Sequence, residues 1–559
     1  MTAPTFTPPS GVQQPQAVSG PPTPAGAGAG ATTQVPPTFV KPGSPPPPGG
    51  FTPAPPAGPV FERPTMYDGP PAPRAFALAA LGLALFTGLL LAEQPAGLGL
   101  ALLSLGIVAA CWTLVSEERR GPFVLAALGG AAVLGVVPAF RDSEWVTSLS
   151  LLGALTLTSV AVASAKSWRE LFASMFGWFV KLFPAPVVFF GQGVGRAASR
   201  RFSLAGPVAR GTMMGAFLVF IFGALFSAAD DEFAELVRTL FDWNLDLQSI
   251  VVRTFLFGVV LALAGALWLV SATRKDRPAR EASTRLGRLE WTIALGAAVV
   301  VFAAFLAVQL PAFFGGDDVV QLTDGLTYAG NARTGFVQLT VAAILTLAVV
   351  AGAVRYGPGD GEDLAVRLLC GALCLLTVVV LASALHRLGL YTDAYGQTRT
   401  RFSLTSLMYW LGAVLLLVVV VGGLRRTGSL PRALVLVSAV FAIGTVVANP
   451  DARVAEGNVE RYAATGDIDP DYLTTLSADA LPQLAPLPDA LESCISSYIA
   501  MSTLGSATLE PSLDTGSDPL VGLNLGRARG RKVVEDLPRN TAGAAGSAYT
   551  PDCHETADR

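Results

Sequence analysis

Between residues 74 and 449 the chain holds eleven apolar runs of about 17–23 residues, separated by polar connections. They lie at about 75–92, 97–115, 122–140, 146–165, 212–229, 250–272, 291–311, 336–354, 368–385, 402–424 and 433–449. Each is close to the ~20 residues needed to cross the hydrocarbon core of a bilayer. In lipid every backbone polar group must be satisfied within the protein, so only helices and closed barrels can span. The strict in–out alternation of barrel strands is absent. The runs therefore predict an all-α fold: a polytopic membrane helical bundle with about eleven transmembrane helices. Composition agrees, with 52% hydrophobic and only 14% charged residues, against roughly 25% charged in soluble domains. At a net charge of −3 there is no basic patch for nucleic acid, and none is expected as a partner.

Lys and Arg set the orientation. With the N-terminus inside, the cytoplasmic segments carry 23 of them and the opposite loops 6. This predicts a multi-pass protein of the cell (cytoplasmic) membrane, in bacteria the inner membrane, with the N-terminus cytoplasmic and, after eleven spans, the C-terminus extracytoplasmic. No span holds an Asp or Glu. Arg253 is their one charged residue, three residues into its run, where it can snorkel outward. Coupled carriers usually place ionisable groups at depth, so a coupled carrier is disfavoured.

Flanking regions differ from this core. Residues 1–73 are rich in Pro, Gly, Ala and Thr, as in "SPPPPGGFTPAPPAGP". Such a segment buries too little surface to offset its ordering entropy and is expected to be a disordered cytoplasmic head. Residues 450–559 return to soluble composition and predict a small helical domain, with a helix-like period in "PDALESCISSYIAMSTL" and a loose last forty residues. Two connections read as amphipathic helices at the membrane surface. One is "KSWRELFASMFGWFVKLF", with Trp168, Phe172, Met175, Phe176, Phe179 and Phe183 on one stripe; the other is "DDEFAELVRTLFDWNLDLQS".

Catalytic and metal signatures are missing from the sequence. Cys111, Cys370, Cys374, Cys494 and Cys553 form no C-x-x-C pair, and His386 and His554 form no H-E-x-x-H. "FFGGDDVV" has its aspartates in a loop rather than in a span, and "DCHE" lacks a partner cluster. Walker and Gly-x-Ser-x-Gly motifs are absent. No cofactor and no enzymatic activity are expected. Cys494 and Cys553 are the two cysteines of the soluble tail. The topology puts that tail outside, where disulfides persist, so a Cys494–Cys553 bridge is expected.

One polar connection is unusually rich. "HRLGLYTDAYGQTRTRFS" between the ninth and tenth runs carries Arg387, Tyr391, Tyr395, Arg399 and Arg401. It reads as an outer-face loop, with Arg387, Tyr391, Tyr395 and Arg399 on one stripe if its start is helical and with Gly396 breaking the last turn. Two readings stay open: a boundary belt of Tyr and Arg, or an anion or headgroup site, since Arg pairs well with phosphate and carboxylate.

These residues also carry a resemblance. The stretch is similar to the motif of a bacterial integral-membrane family, domain of unknown function 4173, close to domain 4153, at Arg387, Leu390, Tyr391, Tyr395, Gly396, Thr398 and Arg401. "LTYAGNARTGFVQL" resembles a second pattern of the family at Tyr328, Ala329, Ala332, Arg333, Gly335 and Phe336. "NPDARVAEGNVERY…DYLTTLSADALPQL" resembles its post-membrane segment at Asn449, Pro450, Asp451, Asn458, Arg461, Tyr472, Leu473, Ser477, Asp479, Ala480 and Pro482. The resemblance spans about 210–485 and departs at Gln397. It implies a polytopic inner-membrane protein without an established activity.

All three motifs fall on the outer side of the topology. They define a candidate docking cluster of Tyr328, Arg333, Arg387, Tyr391, Tyr395, Arg399, Arg401, Asn449, Asp451, Asn458, Arg461 and Asp479. In it Arg387, Arg399 or Arg401 would meet Asp451, Glu460 or Asp479. The expected function is a non-enzymatic membrane scaffold or sensor. Its partners would be membrane lipid and an envelope or membrane protein recognised on the outer face. The alternative is a transporter or lipid- and anion-handling permease built on the outer Arg/Tyr cluster.

Overall fold

The computed structural model describes residues 71–92, 94–186, 188, isolated positions between 215 and 233, 247–273, 287–314, 328–357, 363–504, 520–536 and 553. The expected disordered head, the span at 212–229 and the acidic surface helix at 230–249 lie outside the described residues, apart from isolated positions.

The elements are helical, and among the described residues there is no strand. Helix α1 (Arg74–Phe86) runs into a π-helical turn, Thr87–Leu91. It is followed by α2 (Leu98–Trp112), α3 (Pro122–Gly135) with a 3₁₀ turn Val137–Ala139, and α4 (Glu144–Ala163). Then come α5 (Trp168–Met175), α6 (Gly177–Leu182), α7 (Leu247–Ala272), α8 (Arg288–Phe314) and α9 (Tyr328–Tyr356). Helices α10 (Leu364–Tyr395), α11 (Arg399–Gly423) and α12 (Leu430–Val447) complete the bundle. The post-membrane part holds α13 (Pro450–Thr465), α14 (Pro470–Thr474), a 3₁₀ turn Ala478–Gln483, α15 (Asp489–Thr503) and α16 (Leu525–Asp536).

Nine helices among the described residues are long and apolar enough to cross a membrane. They coincide with nine of the eleven runs, which makes this an integral membrane protein. The run at 97–115 forms a shorter helix. Helix α2 has 15 residues and rises ~22 Å, and it leads from the turn 92–97 to α3, which returns to the same end of the bundle at 140–143. The chain turns into α2 at Gly97, where the Leu98 amide donates to Leu523 O at 2.8 Å, and Thr113 closes its other end on Ala110 O.

Two further readings change. The connection 386–401 is not a loop for most of its length. Helix α10 continues for 32 residues to Tyr395, about 48 Å, because nothing in "HRLGLYTDAY" breaks a helix before Gly396. The stripe at 168–183 is two short helices, parted at Phe176 ahead of Gly177. Their Phe172, Phe176, Phe179 and Phe183 rings are exposed, while Leu171 and Ser174 face the bundle.

Three clusters make up the membrane core. Phe76, Ala80 and Ala84 of α1 pack with Leu103 and Cys111 of α2 and with Leu261, Leu267 and Trp268 of α7. Ala127, Ala131 and Leu134 of α3 meet Ala154, Leu157 and Ala161 of α4 and Val435 and Ala439 of α12. Helix α10 is the centre of the third, packed on α8, α9 and α11 through Cys370, Leu373, Cys374 and Leu381. Small residues at these seams let helices approach closely, which matters where lipid leaves no hydrophobic drive between helices. One buried polar contact joins α9 to α10, Thr346 Oγ1 to Thr377 Oγ1 at 3.1 Å.

Both ends of the bundle are capped, in different ways. At one end single cations donate to the last carbonyls of neighbouring helices: Arg432 to Ala165 O, Arg367 to Gly422 O and Lys181 to Leu269 O. These carbonyls lie at helix ends and carry the negative end of the helix dipole. At the other end the turns 92–97, 140–143 and 396–398 and the exit from α12 gather beneath residues 450–504 and 520–536.

Candidate functional site

The site grows from the turn between α10 and α11. Helix α10 ends because Gly396 adopts φ +78°, a left-handed value that side chains other than glycine's resist. Thr398 then caps α11, its hydroxyl accepting from the Arg401 amide at 3.2 Å. Arg401 folds back over the turn. Its Nη1 donates to Tyr395 O at 2.9 Å and to Gly396 O, and its guanidinium lies 4.3 Å over the Tyr391 ring. The Tyr391 and Tyr395 rings meet at a tilt of 41° with centroids 5.0 Å apart.

Helix α13 binds this turn. Asn449 takes φ +54° before Pro450, an αL position that Asn tolerates, and the chain reverses onto the bundle. The Asn458 amide pairs with the backbone of Gln397, accepting from its N at 3.2 Å and donating to its O at 2.8 Å. Arg461 donates to Asp393 O at 3.3 Å and Ala394 O at 3.0 Å, the final carbonyls of α10, and also to Asp467. A Cβ on Gly396 would collide with Asn458 Oδ1. Gly396→Ala should therefore cost about 1–2 kcal/mol through φ strain and this clash, more than an alanine placed at exposed Gly389. Thermal unfolding in detergent compares the two.

Asp451 is the centre of the arrangement and is fully buried. Arg399 grips it with two hydrogen bonds, Nε to Oδ1 at 2.8 Å and Nη2 to Oδ2 at 2.7 Å, the bidentate geometry that makes Arg–carboxylate pairs strong. The Ser477 amide donates to Oδ2 at 3.1 Å and Trp145 Nε1 to Oδ1 at 3.4 Å. The Arg399 amide donates to Tyr472 Oη at 2.6 Å. Burial alone pushes the Asp451 carboxyl up, but the Arg399 bond and charge, with Ser477 and Trp145, outweigh it and hold it below its ordinary 3.8. One carboxylate thus joins the starts of α4 and α11 to α13 and the segment after α14.

A second buried pair lies beside the first. Asp479 Oδ2 accepts from the Asp142 and Ser143 amides at 2.8 and 3.3 Å. Asp142 in turn accepts from the Ala478 amide and from Arg527 Nη1 at 2.9 Å. Arg527 also donates to Ala96 O and Gly522 O, and Asn524 Nδ2 donates to Pro138 O and Arg141 O. Burial pushes the Asp479 carboxyl up to about 6; the Asp142 amide bond and Arg141 oppose the rise, and the Asp142 charge adds to it.

The structure brings Arg399, Arg401, Tyr391, Tyr395, Asn449, Asp451, Asn458, Arg461 and Asp479 to one end of the bundle. The expected arginine partner of Asp479 is corrected, since backbone amides of the α3–α4 turn occupy its Oδ2. Glu460 is exposed, and Arg387 is half-buried on α10. Tyr328 and Arg333 fall on α9, but their side chains lie outside the described residues. Cys494 and Cys553 form a disulfide. The last forty residues are not uniformly loose, since α16 lies there and carries Arg527. Sequence reasoning missed Asp142, Trp145 and Arg527. The one available signal was "RDSEW", a charged turn between two runs. Among the described residues no group of three His, Cys, Asp or Glu side chains is placed to hold a metal ion.

The model of one protein family, described as Domain of unknown function (DUF4153), matches residues 128–487, well over half of the chain. Of the two related families that the motifs resemble, this is the one found. The matched stretch includes Asp142, Trp145, Arg399, Asp451 and Asp479 and ends before α16 and the disulfide. No curated protein and no solved structure matches the chain.

Proposed function

The chain belongs to the domain of unknown function family DUF4153, and from that premise we propose that it is a non-enzymatic membrane scaffold or sensor. In this reading it sits in the bacterial cytoplasmic membrane with the N-terminus inside. The docked residues 450–504 and 520–536 then form its outer face, which recognises an envelope component or a membrane protein. One observation carries the reading: Arg399, Arg401, Asn458 and Arg461 spend their hydrogen bonds inside the chain. Arg399 is used on Asp451, Arg401 on the α10 end and the Tyr391 ring, and Asn458 and Arg461 on the α10–α11 turn. Side chains bound this way hold a surface in a fixed shape. The surface itself includes exposed Arg453 and Glu460.

Photocrosslinkers placed at Arg453 and Glu460 test the idea. The expected result is one recurrent crosslinked partner from both positions and none from Arg425 at the opposite end. Crosslinks to lipid alone from all three would sink it. The transporter reading is addressed by uptake assays in proteoliposomes, where dependence on Arg399 would favour it.

Orientation rests on the bias of 23 cationic residues against 6. A reporter active only outside the cytoplasm, fused after residue 460, is expected to be active. Activity solely of a cytoplasmic reporter at that point would reverse the topology.

A further inference from the structure

Two cavities adjoin where α16 crosses the end of the bundle, and they share Arg529. The first, about 300 Å³, is lined by Val133, Val137 and Phe140 of the α3 end, Ile443 and Val447 of α12, and Leu525 of α16, with Arg141 and Arg529 as its charged residues. Its walls are continuous with the apolar surface of the bundle, where Val133, Phe140 and Val447 are about half or more exposed. The second, about 160 Å³, is polar and lined by Asn449, Asp479, Gln483, Gly526 and Arg529.

The two hold complementary unused groups. Arg529 is exposed and makes no hydrogen bond or ion pair among the described residues, whereas Arg141 already spends Nε and Nη2 on Val446 O and Val447 O. Asp479 is 6% exposed, and both amides that bind it go to Oδ2. Its Oδ1 accepts nothing among the described residues and lies beside Gly526, where a Cβ would run into it. The absence of a side chain at Gly526 leaves that oxygen open. Asp479 Oδ1 thus faces the polar cavity without a protein donor, and a ligand cation there would supply a charge-assisted one.

We propose that these cavities form one site for an aminophospholipid of the phosphatidylethanolamine class. An acyl chain lies in the α3–α12 cleft, the phosphate faces Arg529, and the ammonium donates to Asp479 Oδ1. The order of groups matches such a lipid at the membrane boundary: apolar cleft, then cation, then buried carboxylate. A lipid with an anionic headgroup and no amine would meet Arg529 but would leave Asp479 unpaired beside Asp142. The site is independent of the scaffold reading, since it uses neither Arg399 nor the surface at Arg453 and Glu460.

Asp479→Asn separates the parts of the idea. Asn is isosteric and keeps an oxygen for the Asp142 and Ser143 amides, but it turns the cavity-facing atom from acceptor to donor. The full chain is purified with dioleoyl phosphatidylethanolamine or with phosphatidylglycerol of the same chains, and retained lipid is read by native mass spectrometry. The native chain is expected to prefer the ethanolamine lipid by roughly tenfold, the scale of one charge-assisted hydrogen bond. Asp479→Asn should abolish that preference and leave glycerol-lipid retention unchanged; Arg529→Gln should weaken both. Retention of the ethanolamine lipid should fall as the pH drops through about 6, where Asp479 takes up its proton among Arg141, Asp142, Arg527 and Arg529, and Asp479→Asn should flatten this profile. Equal retention of the two lipids by the native chain overturns the proposal. So does a preference that survives in Asp479→Asn. Should that variant misfold, Arg529→Gln decides alone, because Arg529 is exposed: unchanged retention of both lipids means annular lipid only.

Discussion

Arg399→Met should release the segment 450–487 from the bundle and cost about 3 kcal/mol, the lower end of the range for removing one partner of a buried ion pair. The lower end applies because 32% of the Arg399 side chain reaches solvent, whereas Asp451 is fully buried. Without Arg399 that carboxylate keeps only the Ser477 amide and Trp145 as partners. Asp451→Asn should cost less, since Asn still accepts from the Ser477 amide and the freed guanidinium can turn to water. The double variant Arg399→Met with Asp451→Asn should then be more stable than Arg399→Met alone, because no buried charge is left unpaired. A cycle of the four proteins, followed by urea-dependent proteolysis at the exposed 466–469 turn, reads this coupling at about 2 kcal/mol. Strict additivity, with the double variant the least stable, would show that the pair does not hold the segment. The pH dependence has a definite sign. The carboxyl of Asp451 is held below 3.8 in the folded chain, so the pair's contribution is present above that value and is lost on acidification below it. The gap between the native chain and Asp451→Asn should close in acid.

How much of the fold and the site was legible depends on range. Apolar runs report local burial, so nine spans could be read from composition, and Gly396 marked the end of α10. The continuation of α10 through "HRLGLYTDAY" was hidden because polar residues after an apolar run look the same whether they stay helical or not. The contact of the Leu98 amide with Leu523 O, more than four hundred residues on, left no trace in the sequence either. Arg399 and Asp451 were both visible as candidates, since each sits at a polar junction next to a span. Which of three arginines would meet which of three acids was not, because pairing depends on how α13 turns back at Asn449. Asp142 and Arg527 were missed altogether. Their separation of 385 residues leaves no trace in spacing, and Arg527 sits in a stretch whose composition resembles a loose tail.

Reduction of the Cys494–Cys553 disulfide should loosen α16 while leaving the Arg399–Asp451 clamp closed. The bond closes 59 residues of chain, and in the chain-entropy model such a loop is worth about 4 kcal/mol. Both sulfurs are buried in the post-membrane core with Leu491, Ile495 and Ile499, a cluster of modest size for which a covalent tie matters. The closed loop contains α16 and hence Arg527, whose bonds to Asp142, Ala96 and Gly522 join it to the bundle. The loop excludes α13. A reductant, or Cys494→Ala, should therefore expose 520–536 to protease first, whereas Arg399→Met should expose 450–487 first. Two lesions with different first cleavage sites would show that the segment is held at two separate points. Alkylation of both thiols without reduction would mean the bond does not form, and identical cleavage maps for the two variants would mean the segment unfolds as one unit. Opening α16 also removes Leu525 and Arg529 from the cleft, so reduction should release the retained aminophospholipid, while Arg399→Met should keep it.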